Sequence, residues 1–339
     1  MNNFKKIGLT ALAASLVSVS ANAGEMSVSG SASIGTAGYS GTAVTSGNEY
    51  SMGNQLTFSG SGELDNGLTV SMSFVLDQGD DTYTAVASTT AKHGNTAPFD
   101  SHSVTISSDS LGTLVFSGEG GSSTASAIDT TAAGDLWDAF DGMTYADGQN
   151  DGNSIVASAT AGVGDNAFFY TSPALMDGLS LTASWAPQGS TTPAKTGFGV
   201  NYTGMEGLTV KYAVADVVKG ATETANGDST VLSLSYAYGP VTVAYSDMEY
   251  DIGTALSDVD TTAMKISYTV SDELSISYAQ ETIDKATYSV DAEYEGITAA
   301  YTSGGMTLSA GMYEADNASF TTDTNEDYDK WTLGASFAF

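Results

Sequence analysis

The sequence predicts an all-β fold whose antiparallel strands close into a barrel, and three observations support this prediction. Apolar side chains alternate with Ser, Thr, Gly or Ala over most of the chain. The connections between these alternating runs fall into a short class and a long class. The last ten residues form the cleanest alternating run, and no segment shows a convincing helical stripe of apolar residues.

The alternation has the period of two that a wall with one apolar face and one wet face requires. It is clearest from Leu68 to Leu76, from Leu208 to Val214 and from Leu274 to Tyr278. A strand over 154–161 and a bulge or turn at Glu295–Gly296 are two open alternatives, and accepting both would give eighteen strands instead of sixteen. Sixteen strands are predicted near 25–36, 52–64, 68–78, 101–109, 113–119, 165–173, 178–186, 195–203, 208–215, 229–238, 241–249, 261–270, 274–282, 287–303, 306–313 and 330–339.

The two classes of connection indicate that the hairpins span a membrane. Short turns contain Gly, Asp or Pro, as in Asp65–Gly67 and Met176–Gly178, whereas long acidic linkers occupy stretches such as 79–100 and 314–328. Hairpins whose two ends face different compartments show this sorting. The sequence therefore predicts a closed transmembrane β-barrel.

The C-terminal strand supports closure. Trp331, Leu333, Phe337 and Phe339 share one face with Ala335, and the chain ends on an aromatic residue. In an open sheet this strand would be an exposed edge that templates aggregation. A closed barrel pairs it with the first strand, near 26–34, and removes the edge.

The composition excludes several classes of protein. The 339 residues include nine lysines, no arginine, 40 acidic residues and no cysteine, and the formal charge is −31. Nucleic acid is an unlikely partner because phosphate binding requires clustered basic residues. Without cysteine there are no disulfides and no thiolate metal sites.

The N-terminus has the three parts of a secretory signal peptide. Lys5 and Lys6 precede an apolar stretch over 7–19, and Ala21-Asn22-Ala23 follows as a small-x-small cleavage site. The apolar stretch is shorter than the roughly 20 residues that a membrane-spanning helix needs, which disfavours an uncleaved anchor. We predict a signal peptide over 1–23, cleavage after Ala23, and an exported barrel domain over 24–339.

The mature chain resembles the Gram-negative general porins, most closely in style those of alphaproteobacteria. The run Asp165–Pro173, the following run Asp177–Ala186 and the terminal Phe339 carry the resemblance. It implies a homotrimer in the outer membrane, assembled by the barrel-assembly machinery through the C-terminal strand, with a loop after the fifth strand narrowing the lumen. The chain departs from the family in lacking an arginine cluster and the Pro-Glu-Phe-Gly-Gly signature, near which only Gly118-Glu119-Gly120-Gly121 stands.

The segment 120–164 is the candidate constriction loop. It contains no basic residue, and in a narrowed lumen its carboxylates would concentrate cations. The spacing of Asp135, Asp138 and Asp141 would place them on one side of a helical turn, with Leu136, Trp137 and Phe140 elsewhere as packing. A solvated outer loop is the alternative. The candidate acidic residues are Asp129, Asp135, Asp138, Asp141, Asp147 and Asp151.

Three lysines are predicted to face the lumen from the opposing wall. Lys211, Lys265 and Lys330 each alternate against apolar neighbours. A lysine on the lipid face at mid-membrane would cost about 2 to 4 kcal/mol, which favours the inward phase. A position near the rim, where this penalty disappears, is the alternative.

These observations predict an outer-membrane channel for the passive diffusion of small hydrophilic solutes and ions, with a preference for cations. We expect neither catalysis nor a cofactor, because no catalytic pattern surrounds His93 or His102. Weak association of Ca2+ or Mg2+ with the acidic loops is possible. The alternatives are a substrate-selective channel and a secreted acidic adhesin or matrix protein.

Overall fold

The computed structural model describes residues 26–41, 48–77, 100–128, 130–140, 165–187, 194–218, 226–251, 258–318, 320 and 327–339. The candidate signal peptide lies outside the described residues. Within them, no helix is long and apolar enough to cross a membrane. Two short 3₁₀ helices, Ser126–Ile128 and Leu136–Phe140, are present together with strands.

The strands number sixteen in the described part of the chain, as the sequence predicts. They are β1 Met26–Gly41, β2 Asn48–Glu63, β3 Thr69–Asp77, β4 Ser101–Ser108, β5 Gly112–Glu119, β6 Ala167–Thr171, β7 Leu179–Ala186, β8 Lys195–Tyr202, β9 Leu208–Val218, β10 Asn226–Tyr238, β11 Val241–Asp251, β12 Val259–Thr269, β13 Leu274–Lys285, β14 Ala292–Ser303, β15 Met306–Asp316 and β16 Tyr328–Ala338.

The sheet closes into one antiparallel barrel. Each strand pairs with its neighbours in the chain, and β1 pairs with β16, so that Ile34 lies opposite Ala335. The backbone of Gly30 donates to the carbonyl of Phe339 at 2.7 Å and accepts from its N–H at 2.9 Å. Because closure removes the free edge, the predicted barrel is confirmed and the fold of the adhesin alternative, an open sandwich, is wrong.

The two faces of the wall differ as the alternation predicts. On β12, Met264, Ile266 and Tyr268 point outward and are exposed, whereas Ala263 is buried on the inward face. Lys265 has the same phase as Ala263. The outer face therefore presents large apolar side chains at mid-strand, where a bilayer would contact the barrel.

The short turns lie where the sequence places them. Asp65–Gly67 connects β2 to β3, and Met176–Gly178 precedes β7. Gly178 has a φ of 70°, and a side chain there would stand 2.5 Å from the carbonyl carbon of Thr203 and against the backbone of Gly204. Glycine is required at this turn for both reasons.

Several strands extend further toward the long connections than the sequence predicts. β11 continues to Asp251, β13 to Lys285 and β15 to Asp316. These extensions carry carboxylates on the outward face, whereas inward residues beside them, such as Ile283 and Ala315, are buried. The outward acidic residues at this level of β11 to β16 include Asp247, Glu249, Asp260, Asp284, Glu293, Glu295, Glu314, Asp316 and Asp329.

The alternative of a bulge or turn at Glu295–Gly296 is not realised. β14 begins at Ala292, after a turn, and runs through both residues without a register shift. The apparent change of phase arises because Tyr294 faces inward, where its ring packs 5.9 Å from that of Phe140. The other uncertain stretch, 154–161, lies outside the described residues.

Candidate functional site

Residues 120–128 and 130–140, here called the inner segment, lie between β5 and β6 and contact the inner wall of the barrel. Near their start, the backbone N–H of Thr124 donates to Ser184 Oγ of β7 at 3.0 Å. The hydroxyl of Thr124 donates to the carbonyl of Val214 on β9, also at 3.0 Å. Gly197 of β8 leaves the space that this threonine occupies.

Further along, the inner segment is held by polar side chains of β11 and β13. The backbone N–H of Ala132 donates to Ser246 Oγ at 2.7 Å. The hydroxyl of Thr131 donates to Glu281 Oε2 at 2.5 Å. Glu281 is only 1% exposed and also accepts the backbone N–H groups of Leu136 and Trp137, each at 3.4 Å.

Apolar contacts fix the end of the inner segment. Leu136 and Phe140 are buried in one cluster with wall residues of β12 to β15. The Lys330 ammonium of β16 donates to the carbonyl of Ala139 and lies 4.9 Å from the ring centre of Tyr39. The segment therefore follows the wall from β7 round to β16.

The two described aspartates of the candidate constriction occupy different positions. Asp135 lies just before the second 3₁₀ helix with a φ of 55°, and its Oδ1 accepts the N–H of Thr131 at 2.8 Å. Asp138 is exposed and lies within the helix whose Leu136 and Phe140 are buried against the wall. The other four candidates, Asp129, Asp141, Asp147 and Asp151, lie outside the described residues.

The candidate lysines have the inward phase, and they lie on strands that the described part of the inner segment follows. The rest of the candidate loop, 141–164, lies outside the described residues. Lys211 lies on β9 and Lys265 on β12, among the strands that the inner segment follows. Lys330 contacts the segment directly. The position of a residue in the alternation of a strand determines which face its side chain occupies. Which part of the wall the loop covers depends instead on the path of the loop.

The wall across the lumen is formed by the first five strands, because strands eight places apart face each other in a closed barrel of sixteen. Its inward positions carry hydroxyl groups, and no lysine occurs on β1 to β5 as described. Glu63 and Asp77 lie at opposite ends of this wall. One row of paired residues across β1 to β5 consists of Ser27, Ser59, Ser73, Ser103 and Ser117.

The charges are sorted between the two faces of the barrel. Many carboxylates lie on the outward face near the long connections, so the formal charge of −31 does not measure the potential inside the lumen. The lysines among the described residues lie on inward phases. They are Lys195, Lys211, Lys265, Lys285 and Lys330.

Sequence reasoning missed Glu281 and Gly296. Glu281 has the inward phase of its neighbours Ala279 and Ile283, and an acidic residue among small and apolar inward residues is the signal that could have revealed it. Gly296 was considered only as the place of an alternative bulge or turn. Leu136 lies over Gly296, where a side chain would meet its Cδ2 at 2.9 Å.

A closed barrel with an apolar outer face, a hydroxyl-lined interior and a segment folded against the inner wall defines a membrane channel of the porin class. The family model of the Gram-negative porin matches residues 8–302. The chain belongs to this family, and is therefore an outer-membrane channel protein.

Solved porin structures share the fold at low sequence identity. The anion-selective porin from Comamonas acidovorans is 16% identical with a TM-score of 0.64, covering 93% of this chain and 99% of that one. Salmonella typhi OmpF in complex with daunomycin is 14% identical with a TM-score of 0.69, covering 95% and 99%. A mutant of the Rh. blastica porin is 15% identical with a TM-score of 0.61, covering 93% and 100%. No curated protein is similar enough in sequence to count as a match.

Proposed function

We propose that the chain forms a water-filled channel through which small hydrophilic solutes and ions diffuse passively, with a preference for cations. In this proposal the segment 120–164 is the constriction, and no bond is made or broken. The observation that carries it is the position of Asp138, exposed on the lumen side of a helix whose apolar residues are buried against the wall.

Electrostatics favours cations in this arrangement. A carboxylate in a narrow passage between low-dielectric walls concentrates counterions near it. The wall across from the inner segment has hydroxyl groups where an arginine cluster would oppose the acidic loop. Lys330 donates to the carbonyl of Ala139 in the inner segment, which reduces its access to the passage.

Other features of the proposal rest on the sequence and the family resemblance. They are the homotrimer, the alphaproteobacterial and non-specific type, cleavage after Ala23, and recognition of the C-terminal strand by the barrel-assembly machinery. The residues expected to carry that recognition are Trp331, Leu333, Phe337 and Phe339. We further propose that the protein uses no cofactor and that acidic loops associate weakly with Ca2+ or Mg2+.

The channel and its ion preference can be tested with one measurement. Purified, refolded protein in a planar lipid bilayer should give discrete conductance steps. In asymmetric KCl, the reversal potential should show that K+ is more permeant than Cl−. The absence of conductance steps would contradict the channel. A reversal potential of the opposite sign would contradict the cation preference and would indicate that the inward lysines set the electrostatic potential in the lumen.

Replacing Asp138 with asparagine should weaken the cation preference. We expect the K+ to Cl− permeability ratio to fall about two- to fourfold, the effect of one charge acting over roughly 5 to 10 Å in water. The measurement is the reversal potential of Asp138→Asn in asymmetric KCl. Glu295→Gln is the matched control, because it removes one carboxylate from the outward face of β14 and should leave the ratio unchanged.

A further inference from the structure

We infer that Glu281 and Gly296 are positioning residues that hold the inner segment against the wall and thereby keep the passage open. This inference rests on the proposed function, because it concerns the passage that solutes would use. It assigns a role to two wall residues on β13 and β14 to which the proposed cation preference gives none.

The carboxyl group of Glu281 serves the inner segment. It projects inward from the middle of the buried face of β13, between Ala279 and Ile283. Three donors reach its two oxygens, and each of them belongs to the inner segment: the Thr131 hydroxyl and the N–H groups of Leu136 and Trp137.

Two of these donors are N–H groups at the start of the second 3₁₀ helix, which begins at Leu136. The first N–H groups of a helix have no partner inside it and require a cap. Here a wall residue, 145 positions along the chain from Leu136, supplies that cap. The helix is therefore completed only when the segment lies on the wall.

Gly296 provides the space into which the segment docks. Its Cα lies beneath Leu136 and beside Tyr313, and a side chain would stand 2.9 Å from Leu136 Cδ2 and 3.0 Å from Tyr313 Cδ1. The backbone here is an uninterrupted part of β14, so the strand itself does not require glycine. A Cβ at this position would have to displace the Leu136 side chain and would crowd the Tyr313 ring.

The direction of release follows from the geometry. The wall blocks movement outward, so a segment that loses these contacts can move only toward the centre of the lumen. Undocking should therefore narrow the passage. Glu281 and Gly296 thus act as a latch that holds the channel open.

The first test is the conductance of Glu281→Ala and Gly296→Val. Both should show a lower mean single-channel conductance with brief additional closures. The equilibrium ratio of channels with a docked inner segment to channels with an undocked one should fall about tenfold or more. The reason is that hydrogen bonds to a buried carboxyl group stabilise the docked state by more than this factor. Glu281→Gln, which keeps one acceptor oxygen, should recover part of the conductance.

Matched controls separate latching from loss of charge or of a glycine. Glu295→Ala removes a carboxylate from the adjacent strand on the outward face. Gly60→Val enlarges a strand glycine on the outward face of β2, where an added Cβ would meet nothing nearer than 3.7 Å. Both should conduct as the wild type does. Folding of every variant is followed by the heat-modifiable mobility of the barrel in gels.

The second test does not depend on conductance. The chain has no cysteine, so Ala132→Cys with Ser246→Cys offers a single possible disulfide, at a contact where the backbone N–H now lies 2.7 Å from the hydroxyl. In lipid vesicles the disulfide should form rapidly in the wild-type background and at least about tenfold more slowly with Glu281→Ala. Once formed, it should restore the conductance of Glu281→Ala.

Equal rates of disulfide formation with and without Glu281 would overturn the inference, even in a folded and conducting barrel. So would wild-type conductance in both Glu281→Ala and Gly296→Val. If Glu281→Ala does not fold, Gly296→Val and Glu281→Gln decide by the same two measurements. If the rate of disulfide formation depends on Glu281 but the wild-type protein gives no conductance steps, the inference stands and the proposed function is contradicted.

Discussion

Replacing Leu333 with lysine is expected to destabilise the barrel by about 2 to 4 kcal/mol, the cost of a lysine at mid-membrane on the lipid face. Leu333 lies at the centre of the C-terminal strand, points outward and is 53% exposed. The measurement is unfolding of the refolded protein by urea in lipid vesicles.

The adjacent Thr332 offers a matched control, because its side chain has the inward phase. Thr332→Lys places the same charge one residue away in a wet lumen and should change the free energy of unfolding little. Equal destabilisation by the two substitutions would contradict the assignment of faces on β16. Destabilisation by Thr332→Lys alone would reverse it.

Replacing Gly178 with alanine is expected to destabilise the barrel by about 2 to 5 kcal/mol. A left-handed backbone costs a residue with a Cβ about 1 to 2 kcal/mol, and overpacking adds about 1 to 3 kcal/mol. The added methyl group would stand against the backbone of Thr203 and Gly204, which cannot move aside as a flexible side chain does. Urea unfolding and the yield of heat-modifiable barrel should both show the loss.

Gly67 separates the two contributions. Its φ is 78°, similar to that of Gly178, but a side chain there would meet nothing within 4 Å. Gly67→Ala should therefore cost only the backbone term, about 1 to 2 kcal/mol. If both substitutions cost the same, the close approach at Gly178 does not contribute to stability.

Much of the fold could be predicted from local patterns. The alternation in β12 and β16 assigned Met264, Ile266, Trp331 and Leu333 to the outward face, since side chains on neighbouring residues of a strand point to opposite sides. The turn residues at Asp65–Gly67 were predicted for the same kind of local reason. These features depend on residues a few positions apart.

The strand ends near the long connections could not be predicted in this way. At mid-membrane the outward face is apolar, but near the long connections the outward face is acidic and the inward face is apolar where the inner segment packs, so the phase of the pattern reverses. Asp251, Asp284 and Asp316 therefore fell outside the predicted strands although they belong to β11, β13 and β15.

The features of the candidate site also separate into those predictable from local patterns and those that depend on residues far apart in the chain. The sequence indicated the inner loop after the fifth strand, the packing role of Leu136 and Phe140, and the inward phase of Lys265 and Lys330. The contact of Lys330 with Ala139 and the position of Glu281 beneath Thr131 join residues more than a hundred positions apart. No periodicity within a strand carries information about such pairs.

By itself, the sequence determined a closed barrel with one apolar face, one hydroxyl-rich face and an acidic segment after β5, because these follow from spacing along the chain. The tertiary structure alone decided which part of the wall that segment covers, which carboxylates lie outside the lumen, and that Glu281 caps the segment from β13. The physical reason is that closure brings distant strands together, and only then do unpaired donors of the segment meet the acceptors of the wall.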